Sequence, residues 1–101
     1  MGNRIDLHKI LCEVLGSKNV YFQPPESVKM KYPAIVYSLS RIENRNANNS
    51  VYKQNNAYDV ILIDSDPENE TVNRISRLPL CRFDRCYVSN NLNHYAFTLY
   101  F

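Results

Sequence analysis

In the stretch "HYAFTLYF", His94 to Phe101, aromatic or aliphatic side chains fall at nearly every second residue. In an extended chain successive side chains point to opposite faces, so Tyr95, Phe97, Leu99 and Phe101 share one side and Ala96, Thr98 and Tyr100 the other. A helix cannot use this spacing, whereas a strand can. The first side is strongly apolar and the second still carries bulk, so the segment calls for a core on one face and some cover on the other.

Three further stretches read as strands. "AIVYSLSR", Ala34 to Arg41, is apolar in its first half and then alternates, with Ile35, Tyr37 and Leu39 pointing one way. "AYDVILID", Ala57 to Asp64, is apolar on both faces from Val60 to Ile63, which suits a central strand. "CRFDRCYV", Cys81 to Val88, joins the last strand through "SNNLN", a turn of hairpin composition. "VYFQPP" is a short strand or extended arm closed by its proline pair.

Two segments read as helices. In "NRIDLHKILCEVLG" the apolar residues Leu7, Ile10, Leu11, Val14 and Leu15 repeat at three- and four-residue steps, with Asn3 as N-cap and Gly16 as stop. "DSDPENETVNRISRLP" offers Asp66 as N-cap, Pro67 at the first helical position, and Val72, Ile75 and Leu78 as its inward face. The order α-β-β-β-α-β-β predicts an α+β fold, a mostly antiparallel sheet of four to five strands with two helices packed on it, within a single domain spanning residues 1–101. Between the second and third strands, "IENRNANNSVYKQNN" at 42–56 is dense in Asn and poor in apolar residues, and is expected to be a long polar loop that gains order against a neighbour.

Composition narrows function mainly by exclusion. With 2 glycines there is no Gly-rich loop to cradle a phosphate, and a net charge of +2 supplies no basic stripe for reading nucleic acid. No stretch approaches the ~20 apolar residues of a membrane span. Three cysteines, an odd count behind an N-terminus without an apolar leader segment, suggest free thiols in a reducing compartment. Cys81 and Cys86 should fall on opposite faces of their strand, which suits neither a disulfide nor a zinc pair. His8 is expected on the helix surface, and no nucleophile–base pair is recognisable. Asp59, Asp64, Asp66, Glu68 and Glu70 raise the alternative of a metal-dependent nuclease, but helix capping and the helix dipole account for the last three. The expectation is a protein with no catalytic residues, metal or cofactor.

The residues that remain as candidates for contact are cations and tyrosines. Arg41, Arg45 and Lys53 flank the polar segment that holds Asn48 and Tyr52, while Arg82 and Arg85 lie beside Tyr87, with Tyr100 on the last strand. Arginine next to aromatic side chains is favoured at protein interfaces.

Taken in order, "LGSKNVYFQPP", "MKYPAIVY", "YDVILIDSDPENE" and "LPLCRFDRCYVSNNLNHYAFTLYF" resemble the tail terminator (tail completion, head–tail joining) proteins of long-tailed bacteriophages and prophages of Gram-positive bacteria. The resemblance spans essentially the whole chain and rests on segment order rather than on a catalytic motif. It implies an α+β subunit of a ring, generally a hexamer, that caps the growing tail tube and presents a surface to the head connector. The partners it implies are copies of the chain, the tail tube protein and a neck protein, with DNA passing through unread and no membrane involved. The site would be the virion tail or neck, after assembly in the host cytoplasm. Another neck or head-completion protein of the same phage module is the nearest alternative.

Overall fold

The computed structural model describes residues 4–25, 29–47, 50–66 and 68–101, and within 43–47 and 50–55 the backbone only. The order is α1 (Arg4–Leu15), β1 (Val20–Phe22), β2 (Ala34–Ala47), β3 (Ser50–Asp64), α2 (Thr71–Ser76), β4 (Cys81–Ser89) and β5 (Leu92–Tyr100). This is the expected α+β fold and element order. The strands form one five-stranded sheet in the order β1-β2-β3-β5-β4, with β1 parallel to β2 and every other pair antiparallel.

One face of this sheet holds the core. Leu7, Leu11 and Leu15, one turn apart on α1, are buried together with Ile75 of α2. Beneath them lie Ile35 and Tyr37 of β2, Tyr58, Val60 and Leu62 of β3, and Phe97 and Leu99 of β5. The registers Tyr37↔Val60↔Phe97 and Ile35↔Leu62↔Tyr95 set these side chains in cross-strand rows. α1 stops at Gly16, whose φ of 78° is the left-handed conformation that lets its N–H return to the Cys12 carbonyl at 2.9 Å. Asn3 lies outside the described residues. The β4–β5 turn is tighter than "SNNLN" suggested. Only Asn90 and Asn91 lie between the strands, both with positive φ (53° and 63°), as a two-residue hairpin loop of matching twist requires.

Three sequence expectations are corrected. Residues 42–47 and 50–56 are not loop: β2 and β3 continue through them, with Ile42 opposite Asn56, Glu43 opposite Asn55 and Ala47 opposite Ser50. Backbone ladder bonds need no apolar side chains, so the polar composition concealed the pairing. β5 reaches β3 only as far as Ala57, and β1 leaves β2 at Tyr37, so this part of the hairpin projects as a two-stranded arm. At about 3.3 Å per residue, seven residues extend it roughly 23 Å, and the molecule measures 51 × 28 × 23 Å.

The second helix starts at Thr71, not after Asp66. The Asp66 carboxylate instead accepts the Glu68 N–H (2.9 Å) and the Asn69 side-chain oxygen accepts the Thr71 N–H (2.8 Å). Two successive side-chain turns thus take up backbone donors that a helix would have used. Pro67 lies outside the described residues. Thirdly, Cys81 and Cys86 share a face. Cys81 pairs with Leu99 and Cys86 with Tyr95, because β4 shifts register between Phe83 and Arg85. One extra residue in a strand reverses the alternation beyond it.

Phe97 is 1% exposed at the centre of the core, whereas Val88 is 70% exposed. Phe97→Ala is expected to lower the unfolding free energy by about 3–5 kcal/mol, and Val88→Ala to move it by less than about 0.5 kcal/mol. Urea denaturation followed by circular dichroism separates the two.

Candidate interaction face

Both helices sit on the side of Tyr58, Val60 and Leu62. The opposite side of the sheet is formed by Val36 and Ser38 on β2, Asp59 and Ile61 on β3, and Ala96, Thr98 and Tyr100 on β5, with no helix over it among the described residues. Ala57 and Ala34 lie flush within it, fully buried between taller neighbours. On β4 this face carries Arg82, Asp84, Arg85 and Tyr87, because Arg82 pairs with Thr98, Arg85 with Ala96 and Tyr87 with His94.

A concavity of about 320 Å³ opens here between Asp59, Ile61, Asp84, Arg85, Tyr87 and Ala96. Its floor follows from the register. Ala96 is the small residue between Ile61 and Arg85, and the β4 bulge beside it pushes Asp84 and Arg85 outward.

The polar groups around it are paired in a defined pattern. The Thr98 hydroxyl donates to the Asp84 carboxylate at 2.6 Å, and Arg82 Nε donates to its other oxygen at 3.0 Å. The Thr98 hydrogen bond above all, then the Arg82 and Arg85 charges, outweigh partial burial and hold the Asp84 carboxyl below its ordinary range. The Arg85 guanidinium lies 5.3 Å from the Tyr87 ring centre, and that ring stacks on His94 at 4.9 Å with a 12° tilt. Across the sheet, Arg41 donates to the Tyr100 hydroxyl with its guanidinium 5.6 Å from the ring centre. Such cation–aromatic pairs combine charge with broad apolar area, the chemistry of protein contact surfaces.

Five candidates from the sequence, Arg41, Arg82, Arg85, Tyr87 and Tyr100, therefore share this helix-free face. Asn48 lies outside the described residues, as do the side chains of Arg45, Tyr52 and Lys53, whose backbones belong to the arm. Asp59, Ile61, Ala96 and Thr98 were not singled out from sequence. Only the cross-strand register, which brings β3 and β5 beside β4, makes them part of the concavity.

The carboxylates that suggested a metal are separated. Asp59 is on the helix-free face, while Asp64 points to the other side and accepts a 2.7 Å hydrogen bond from Asn69 Nδ2. Among the described residues no three His, Cys, Asp or Glu side chains are grouped to hold a metal, and no helix is long and apolar enough to cross a membrane. His8 is not a plain surface residue. Its Nδ1 lies 2.7 Å from the hydroxyl of Tyr37, to which Arg4 also donates at 3.3 Å. Arginine can only donate, so the hydroxyl oxygen accepts from Arg4. Burial raises the Tyr37 pKa against the opposing pull of Arg4.

No protein-family model matches the chain, and no curated protein matches it.

Two measurements probe this face. A carboxyl whose pKa is depressed on folding contributes stability above its unfolded pKa of about 3.9 and loses it as pH falls through the lower folded value. Asp84→Asn should therefore lessen the fall in stability on acidification below pH 4 relative to the unaltered protein, measured by urea titrations at a series of pH values. Burial, with a smaller push from Asp84, raises the Cys81 thiol to about 11, whereas Cys86 is exposed. At pH 8 only roughly a thousandth of Cys81 is then thiolate, the reactive form, so a disulfide reagent should modify Cys86 first. Peptide mass mapping against reaction time gives the order.

Proposed function

We propose that this chain is a structural assembly subunit that associates with copies of itself and with tail components, in the manner of a tail terminator ring capping a phage tail tube and meeting the head connector. The observation that carries the reading is the helix-free sheet face. It is broad, mixes Ile61, Val36 and Ala96 with arginine–tyrosine pairs, and is joined to a two-stranded arm that reaches past the body of the sheet. A two-stranded ribbon alone is marginally stable in water, so an arm of this kind gains by lying against another surface. Rings form through heterologous contacts, in which one face of a subunit meets a different face of the next. A sheet covered on one side only offers such a second face.

In this role the chain supplies adhesion and shape, and DNA passing through the ring is not read. The experiment is size-exclusion chromatography with light scattering from micromolar to millimolar protein, with negative-stain images of the concentrated sample. The expected outcome is a multimer or concentration-dependent association, with annular particles. A strict monomer over the whole range overturns the reading. Magnesium-dependent DNA cleavage that is lost in Asp64→Ala would instead make the chain an enzyme.

A further inference from the structure

We infer that the copies join edge to edge, the β4 edge of one subunit pairing antiparallel with the free edge of β2 in the next, so that the sheet runs on from subunit to subunit. This inference rests on the assembly reading above and names the surfaces that would carry it.

The sheet has two open edges. β4 is the last strand on one side, nine residues long. On the other side β1 covers β2 only at Ile35, Val36 and Tyr37. Beyond that the Gln23 side chain accepts the Leu39 N–H at 3.2 Å, and on the side away from β3 no described strand lies beside Arg41–Ala47. Strand directions match for head-to-tail joining. β2, β3, β5 and β4 alternate in direction, so β4 runs opposite to β2. A neighbour placed by continuing the sheet keeps its orientation and therefore meets β4 with an antiparallel β2.

The side chains match as well. On β2 the register shifts between Leu39 and Arg41, which brings Leu39 and Ile42, three residues apart, onto one face. On β4 the shift between Phe83 and Arg85 does the same for Phe83 and Cys86. Both pairs lie on the helix-bearing face. Leu39 is 39%, Ile42 50% and Phe83 46% exposed, and Cys86 is exposed too. Antiparallel pairing with Ile42 opposite Phe83 sets Leu39 opposite Cys86, with the two bulges facing each other. The ladder spans Leu39–Asn44 and Cys81–Cys86, replaces the Gln23 contact at Leu39, and stops short of Tyr37, where β1 lies. On the helix-free face it brings Arg41 opposite Asp84, a cation against a carboxylate.

Charges and a bulge on an edge strand also serve to prevent pairing. A guarded edge, however, would not also present Ile42 at 50% and Phe83 at 46% exposure. Pairing of β4 with β4 in a two-fold dimer would be antiparallel too, but would bring together two edges that each carry Arg82 and Arg85.

The test is a cysteine cross-link. Leu39→Cys should form intermolecular disulfides with the native Cys86 on oxidation with copper–phenanthroline, giving a ladder of covalent dimers, trimers and larger species on a non-reducing gel. The ladder should vanish when Leu39→Cys is combined with Cys86→Ser, and thermal melts check that each variant folds. In parallel, Ile42→Lys should abolish association at an unchanged melting temperature. Multimers by light scattering without a ladder, and without an effect of Ile42→Lys, overturn the edge pairing and leave the assembly reading standing. A wild-type product that stops at a Cys86–Cys86 dimer overturns it in favour of two-fold pairing. A wild-type protein that stays monomeric throughout overturns the assembly reading itself.

Discussion

The packing of Leu7, Leu11, Leu15 and Ile75 onto Tyr37, Val60, Leu62 and Phe97 sets the terms for the rest of the molecule. Because strand side chains alternate, committing these residues to the helical layer commits Ile61, Asp59, Ala96 and Thr98 to the other side. Tyr37 is a large polar-tipped side chain with no exposure in this layer. Its hydroxyl is satisfied by His8 and Arg4 of α1, so the group that would be costly to bury also fixes where the helix sits on the sheet. The Arg4 guanidinium, 4.5 Å from the Phe22 ring centre, ties the same helix to the short first strand.

What remains uncovered is organised. Alanines keep the middle of the second face low, arginine–tyrosine pairs stand near its sides, and the Asp84–Thr98 hydrogen bond holds the bulged edge strand to its neighbour. Two bulges act in concert. Each adds a residue to its strand, and each turns apolar side chains towards the helix-bearing face, where they stay exposed. A domain of this size has a modest core, and here the core is spent on one face. The second face and the edges remain for contact, which is the physical content of the proposed assembly role.

Legibility from sequence differed by element. The leucine spacing of α1 and the alternation of Tyr95, Phe97 and Leu99 were plain, because each depends on a local period that burial then uses. The arm at 42–47 and 50–56 was hidden, since the pairing of Asn44 with Gln54 or Glu43 with Asn55 is made by backbone and leaves no hydrophobic trace. The start of α2 was displaced because Asp66 and Asn69, both good capping residues, compete for the same backbone donors. Of the contact face, the arginines and tyrosines could be named, but not their convergence, nor the part played by Asp59, Ile61, Ala96 and Thr98.

The sequence by itself determined the order of helices and strands and the inward stripes of α1, β3 and β5, because a hydrophobic period acts over a few residues. Only the tertiary structure decided that β5 inserts between β3 and β4, that bulges at Ser40 and Asp84 reverse the alternation, and that Cys81 and Cys86 face the same way. Those outcomes depend on hydrogen-bond register between strands far apart in the chain. A shift of one residue there exchanges the two faces of a strand, and no local pattern records which register the completed sheet adopts.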